Sequence, residues 1–185
     1  MEQVGMVPKR MFLTRGMGHS ASKLGAFEAA LRLAGIQGQN LVCVSSIMPP
    51  GCEIISKEEG ACALRPGAIT FVVMSRAESD ELGELVTASI GLAIPADSSR
   101  YGYLSEYEAH GETEEAAGEK AEESAATMLA SILGVDFDAN SDWSSKRNAL
   151  RLSGKIVKTS HITQSAKVAY DDAWTCAIAA AVFMI

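Results

Sequence analysis

Two stretches of helical spacing constrain this chain most. Each opens on a capping hydroxyl and closes on a glycine, and the rest is short runs of β-branched and aromatic residues. The first runs from about Ser20 to Ala34, with Ser20 or Ser22 as N-cap and Gly35 as the stop. Leu24, Phe27, Leu31 and Ala34 form its apolar stripe. The second runs from about Thr113 to Leu133. Thr113 caps it, Glu114 and Glu115 favour its positive end, and Gly134 closes it. Its apolar side includes Ala117, Ala121, Met128, Leu129 and Ile132. Around these helices, strands are predicted at Met11–Thr14, Asn40–Met48, Cys52–Ser56, Ala68–Ser75, Tyr101–Glu108, Lys155–Thr159 and Trp174–Met184. Glu84–Pro95 fits either helix or strand, Arg15–His19 reads as a glycine loop, and Asp136–Ser153 reads as a polar loop or insertion. Several strands with two substantial helices indicate a mixed α/β or α+β sandwich.

The 185 residues suit one domain with a real core. Apolar residues make up 48% and charged residues 21%, which argues against disorder. A net charge of −7 makes nucleic acid an unsuitable partner and favours small cations. The four cysteines form no CxxC pair; Cys43, inside an apolar run, reads as buried packing. Met1–Arg10 lacks the apolar stretch of a secretory leader, and the longest apolar run, Cys176–Ile185, is too short to span a bilayer. Together these place the expected protein in the cytoplasm, with reduced thiols and no membrane partner.

Several motifs fall away on their chemistry. Arg15-Gly-Met-Gly-His19 lacks the lysine of a P-loop and the third glycine of a dinucleotide turn. His19, His110 and His161 have no helical i, i+4 partner, so no metal site is expected. There is no GxSxG elbow. The six glutamates between Glu112 and Glu123 read as a solvated helix face.

Asn40-Leu-Val-Cys-Val-Ser-Ser-Ile-Met-Pro-Pro-Gly51 carries the most information. By composition it is a strand ending in two serines and a diproline turn. The segment resembles the self-cleavage site of the pyruvoyl-dependent arginine decarboxylases of archaea and bacteria. The likeness extends through Phe27–Leu31, Ala34-Gly35-Ile36, Ala93-Ile94-Pro95, Tyr103–Glu108 and the alanine-rich Ala177–Val182, in the same order and at near-constant spacing.

The resemblance implies an α+β fold, a single-domain four-layer αββα sandwich, cut between Ser45 and Ser46 into chains 1–45 and 46–185. It implies that the Ser46 hydroxyl attacks the Ser45 carbonyl, a step helped by a strained or polarised peptide bond. Elimination and loss of ammonia then leave a covalent pyruvoyl group at position 46, with no pyridoxal phosphate and no metal. That ketone takes the substrate amine and accepts electrons as carbon dioxide leaves. Asn40 matches a processing asparagine whose amide suits an oxyanion; a hydrogen bond at a strand start is its other reading.

Strand alternation puts Glu106 and Glu108 on one side. Only the resemblance selects Glu106 as the proton donor, a role favoured by burial near residues such as Leu104 and Tyr107. Glu28 lies about 40° from Leu24 and about 60° from Leu31 on the helix, at the edge of the apolar face. It stands where the family has aspartate and suits a guanidinium, or alternatively pairs with Arg32 at i+4. Leu24 and Gly38 match substrate-pocket positions. The expected activity is conversion of L-arginine to agmatine and carbon dioxide, by a homotrimer or dimer of trimers with sites between subunits. The alternatives are a pyruvoyl decarboxylase of another basic amino acid, histidine or lysine, and an unprocessed, non-catalytic trimeric binding protein.

Overall fold

The computed structural model describes residues 5–136 and 141–185. In chain order these residues form β1 (Arg10–Ser20), α1 (Lys23–Ala34), β2 (Asn40–Cys43), β3 (Ile47–Met48), β4 (Glu53–Ile55), α2 (Lys57–Ala63) and β5 (Ile69–Ser79). After these come β6 (Leu85–Pro95), β7 (Gly102–His110), α3 (Glu114–Leu133), α4 (Trp143–Leu152), β8 (Ile156–Lys167) and β9 (Trp174–Met184). The fold is α+β. One sheet has the order β2-β5-β9-β1-β4 and the other β3-β7-β6-β8. No helix among the described residues is long and apolar enough to cross a membrane.

The alternation of β9 explains how three groups of packed side chains arise. Ala177, Ala179, Ala181 and Phe183 join Met11, Val73, Ile90, Leu92 and Leu104, which come from both sheets. The intervening Cys176, Ile178, Ala180 and Val182 face the other way and pack with Ala26, Ala30 and Ala34 of α1. A third group sets α3 against the second sheet through Ala93, Ala125, Ala126 and Leu129. Each fully buried Val, Ile, Leu or Phe contributes about 1.5–3 kcal/mol by leaving water.

The predicted glycine loop at Arg15–His19 is the second half of β1, paired residue for residue with β9. Its glycines serve helix packing. A Cβ on Gly16 would lie 2.2 Å from Ala30 O, and one on Gly18 2.4 Å from Ala26 O. Strand positions free of side chains let α1 settle this close, with Ala26 and Ala30 directly against them. The buried face of α1 is therefore Ala26, Ala30 and Ala34, while Leu24, placed in the predicted apolar stripe, is 74% exposed. Ser22 caps the helix through Gly25 N, and Gly35 closes it at φ 80°.

Other boundaries also shift. Glu84–Pro95 resolves as strand β6, and α2 is a helix that the sequence reading lacks. Thr113 and Gly134 bound α3 as expected, but Ile132 is exposed. Glu122 departs from the solvated run: it is buried and accepts Thr159 Oγ1 at 2.6 Å and His161 Nδ1 at 3.0 Å. Positions 137–140 of the polar stretch lie outside the described residues, whereas its later part forms α4, which buries Leu150. Cys43, expected to be buried, is exposed on the edge strand β2.

Candidate active site

The predicted strand Asn40–Met48 is two strands in two sheets, and the serine pair lies at the crossing. Val44 N–H still donates to Val72 O at 2.9 Å, as if β2 continued. Ser46 O already accepts from Leu104 N–H at 2.9 Å, in the sheet of β3 and β7. Between them, Ile47 N–H turns back onto Ser45 O at 2.8 Å and closes a three-residue turn centred on Ser46. β3 then pairs Ile47 with Tyr103 and Met48 with Gly102. Pro49-Pro50-Gly51 ends it: Gly51 takes φ 62° and Cys52 N–H reaches Pro49 O at 3.2 Å.

β3 and Ser46 cover only the start of β7, as far as Leu104, and Glu106 follows two residues on. Ser46 Oγ donates to Glu106 Oε2 at 2.6 Å, in the short range of a hydroxyl bound to a carboxylate. Strand alternation made Glu106 and Glu108 equivalent, and their partners distinguish them. Glu108 accepts Arg76 N–H at 3.1 Å, so it serves the backbone of β5. Leu104 shares their strand face and is fully buried. Tyr107 faces the other way, donates its hydroxyl to Glu112 at 3.2 Å and sits under Lys120. It therefore does not cover Glu106, which the single chain leaves exposed.

A hydroxyl with a carboxylate acceptor, next to a carbonyl polarised by an amide N–H, is equipped to attack that carbonyl. Position 46 also fits a reactive carbonyl group. It is half-buried at the gap between the sheets, with a carboxyl group in reach of its side chain. An apolar cavity of about 480 Å³ lies at the same crossing, against Val44, Ser45, Ile47, Pro49, Phe71 and Phe183. It touches neither Ser46 nor Glu106. Burial pushes the nearby Cys52 thiol up to about 11, so it stays protonated at neutral pH and offers no competing nucleophile.

The remaining expected residues lie elsewhere. Glu28 Oε1 and Oε2 accept Arg32 Nη2 at 2.8 and 2.6 Å, the i+4 pairing that sequence had offered as its other reading. This pair holds the Arg32 guanidinium above its ordinary range. Leu24 sits one turn earlier on the same exposed face. Gly38 O accepts Gly67 N–H at 2.7 Å. Asn40 donates its side-chain amide to Gly67 O at 2.7 Å and its backbone N–H to Ala68 O at 2.8 Å. Asn40 thus acts at the far end of β2 from the junction. Among the described residues, no hydrogen bond or ion pair joins Leu24, Glu28, Gly38 or Asn40 to Ser46 or Glu106. Nor do three His, Cys, Asp or Glu residues gather there as metal ligands. The Ile47 amide was missed because any non-proline residue at that position carries the same donor; the sequence holds no signal for it.

Comparison with known proteins places the chain in a family. The sequence profile of the family described as pyruvoyl-dependent arginine decarboxylase matches residues 10–185. A probable pyruvoyl-dependent arginine decarboxylase of Chloroherpeton thalassium is 51% identical over 178 residues, covering 96% of this chain and 98% of the relative. The pyruvoyl-dependent arginine decarboxylase of Nitrosopumilus maritimus is 48% identical over 180 residues, covering 97% and 98%. Pyruvoyl-dependent arginine decarboxylase 2 of Methanosarcina mazei is 45% identical over 179 residues, also covering 97% and 98%.

Proposed function

The chain belongs to the pyruvoyl-dependent arginine decarboxylase family, and from that premise we propose that it cuts itself between Ser45 and Ser46 and decarboxylates L-arginine to agmatine. It is a carboxy-lyase whose cofactor is a covalent pyruvoyl group. The observation that carries the assignment of positions is the 2.6 Å hydrogen bond from Ser46 Oγ to Glu106.

The self-cleavage needs no oxidant or reductant. Ser46 Oγ attacks the Ser45 carbonyl carbon, the C–N bond breaks, and the amine of residue 46 takes the proton. Elimination then breaks the Cβ–Oγ bond and releases a carboxylate ending at Ser45. Water displaces ammonia from the dehydroalanine that remains, leaving the ketone. Ile47 N–H, 2.8 Å from Ser45 O, supports the developing oxyanion. The result is a chain 1–45 and a chain 46–185.

When present, the pyruvoyl group supplies the electron sink for loss of carbon dioxide. Glu106 then returns a proton to the substrate α-carbon. Leu24, Glu28 and Gly38 receive the substrate, with the Glu28 carboxylate meeting its guanidinium. One chain leaves Glu106 open and Leu24 and Glu28 on a separate exposed face. A second copy that lays its α1 against the junction would complete the site. This supports a homotrimer, or a dimer of trimers, with sites between subunits. The three side-chain groups support a four-layer αββα sandwich, with α1 and α3 outermost.

Intact mass tests the proposal. Two chains are expected, the larger starting with a pyruvoyl group. Active protein that keeps an ordinary serine at position 46 would overturn it.

A further inference from the structure

Away from the junction, α4 and β8 enclose a second cavity of about 280 Å³. Its lining includes Arg147 and Arg151, one turn apart on α4, and Lys158 on β8. Leu150 and Ile156, almost wholly buried, form an apolar floor. Three cations converge here in a chain whose net charge is −7. Glu122 Oε1 sits 3.4 Å from Arg147. That carboxylate is already engaged by Thr159 and His161, so it anchors Arg147 more than it neutralises the cleft. Arg151 and Lys158 meet no carboxylate among the described residues.

We infer that this cleft binds a small oxyanion of two or more negative charges, a phosphate or a polycarboxylate. Guanidinium forks match the paired oxygens of both groups, and a concave wall with an apolar floor strengthens the attraction relative to open water. Glu122 lies beside Arg147. It holds one arginine in place and leaves the other two cations to the ligand. The inference is independent of the decarboxylase site, since none of its residues lies at the junction.

The test is calorimetric titration of the full-length protein with inorganic phosphate, pyrophosphate and citrate in separate runs. At least one is expected to bind saturably, and which one binds identifies the source of the oxyanion. The double variant Arg151→Gln, Lys158→Gln alters exposed side chains and is expected to weaken that binding about tenfold or more. A control, Lys9→Gln with Arg10→Gln, removes the same charge elsewhere and is expected to leave it unchanged. Absence of saturable binding by all three probes, or equal weakening in both double variants, would sink the inference. Equal weakening would assign the effect to net charge alone.

Discussion

Ser46, in the turn that leads into β3, and Glu106, on β7, touch at 2.6 Å within a single chain. Leu24 and Glu28 arrive on one helix and share one exposed face, where Glu28 pairs with Arg32. The first pair is finished by folding, because the sheet register that seats Ile47 opposite Tyr103 also sets Ser46 beside Glu106. The second is not, because α1 turns Ala26, Ala30 and Ala34 to the sheet, with Phe27 and Leu31 packed beside them, and leaves Leu24 and Glu28 exposed. Chemistry is thus built into the chain, and on our reading recognition waits for a neighbour.

Replacing residues on each side of that division should separate them. Ser46→Ala removes the attacking hydroxyl. It should abolish both cleavage and activity, with one full-length band on a denaturing gel and no carbon dioxide release. Glu106→Gln should still cleave but lose about 10²–10⁴-fold in kcat; full turnover in this variant would remove Glu106 from the proton-return role. Glu28→Gln should cleave normally and raise KM for arginine about 10–100-fold with little change in kcat. An unchanged KM would reduce Glu28 to the partner of Arg32.

Gly18→Ala forces a Cβ into the backbone of α1 and should cost about 1–3 kcal/mol, read as a lower melting temperature. Cleavage should persist, since the junction lies elsewhere. Arg32→Ala should matter least, changing stability by under about 1 kcal/mol as an exposed ion pair. If it instead matched Glu28→Gln in KM, the pair rather than the free carboxylate would be the functional unit.

The two regions also differ in how much of them the sequence reveals. Helix ends were readable because caps and closing glycines act locally: Ser22, Gly35, Thr113 and Gly134 all sit where expected. The face of α1 was readable in part: Phe27, Leu31 and Ala34 pack inward as expected, but Leu24 does not, and the closest approach is made at Gly16 and Gly18, in a strand that pairs with the far end of the chain. Leu24 looked apolar and inward, but the helix sets Ala26 and Ala30 against those glycines and leaves Leu24 in the open. Strand alternation placed Glu106 and Glu108 together, but only the partners of each, one a serine and one an amide from β5, tell them apart. The break of Asn40–Met48 into two sheets left no local mark, since Val44 and Ile47 suit a strand equally well. Resemblance supplied the serine pair and its chemistry; tertiary pairing supplied its surroundings.

If the backbone is cut where the chain crosses between sheets, as proposed, strand pairing decides the fate of the two pieces. β1 runs between β9 and β4, and β2 lies along β5, so the segment ahead of the break is stitched on three sides to the segment behind it. The hydrogen bonds from Val44 N–H and to Ser46 O stand on either side of the scissile link, and neither needs it. Severed there, the two pieces would remain one folded body that comes apart only on denaturation. The new end at position 46 would emerge already held beside Glu106.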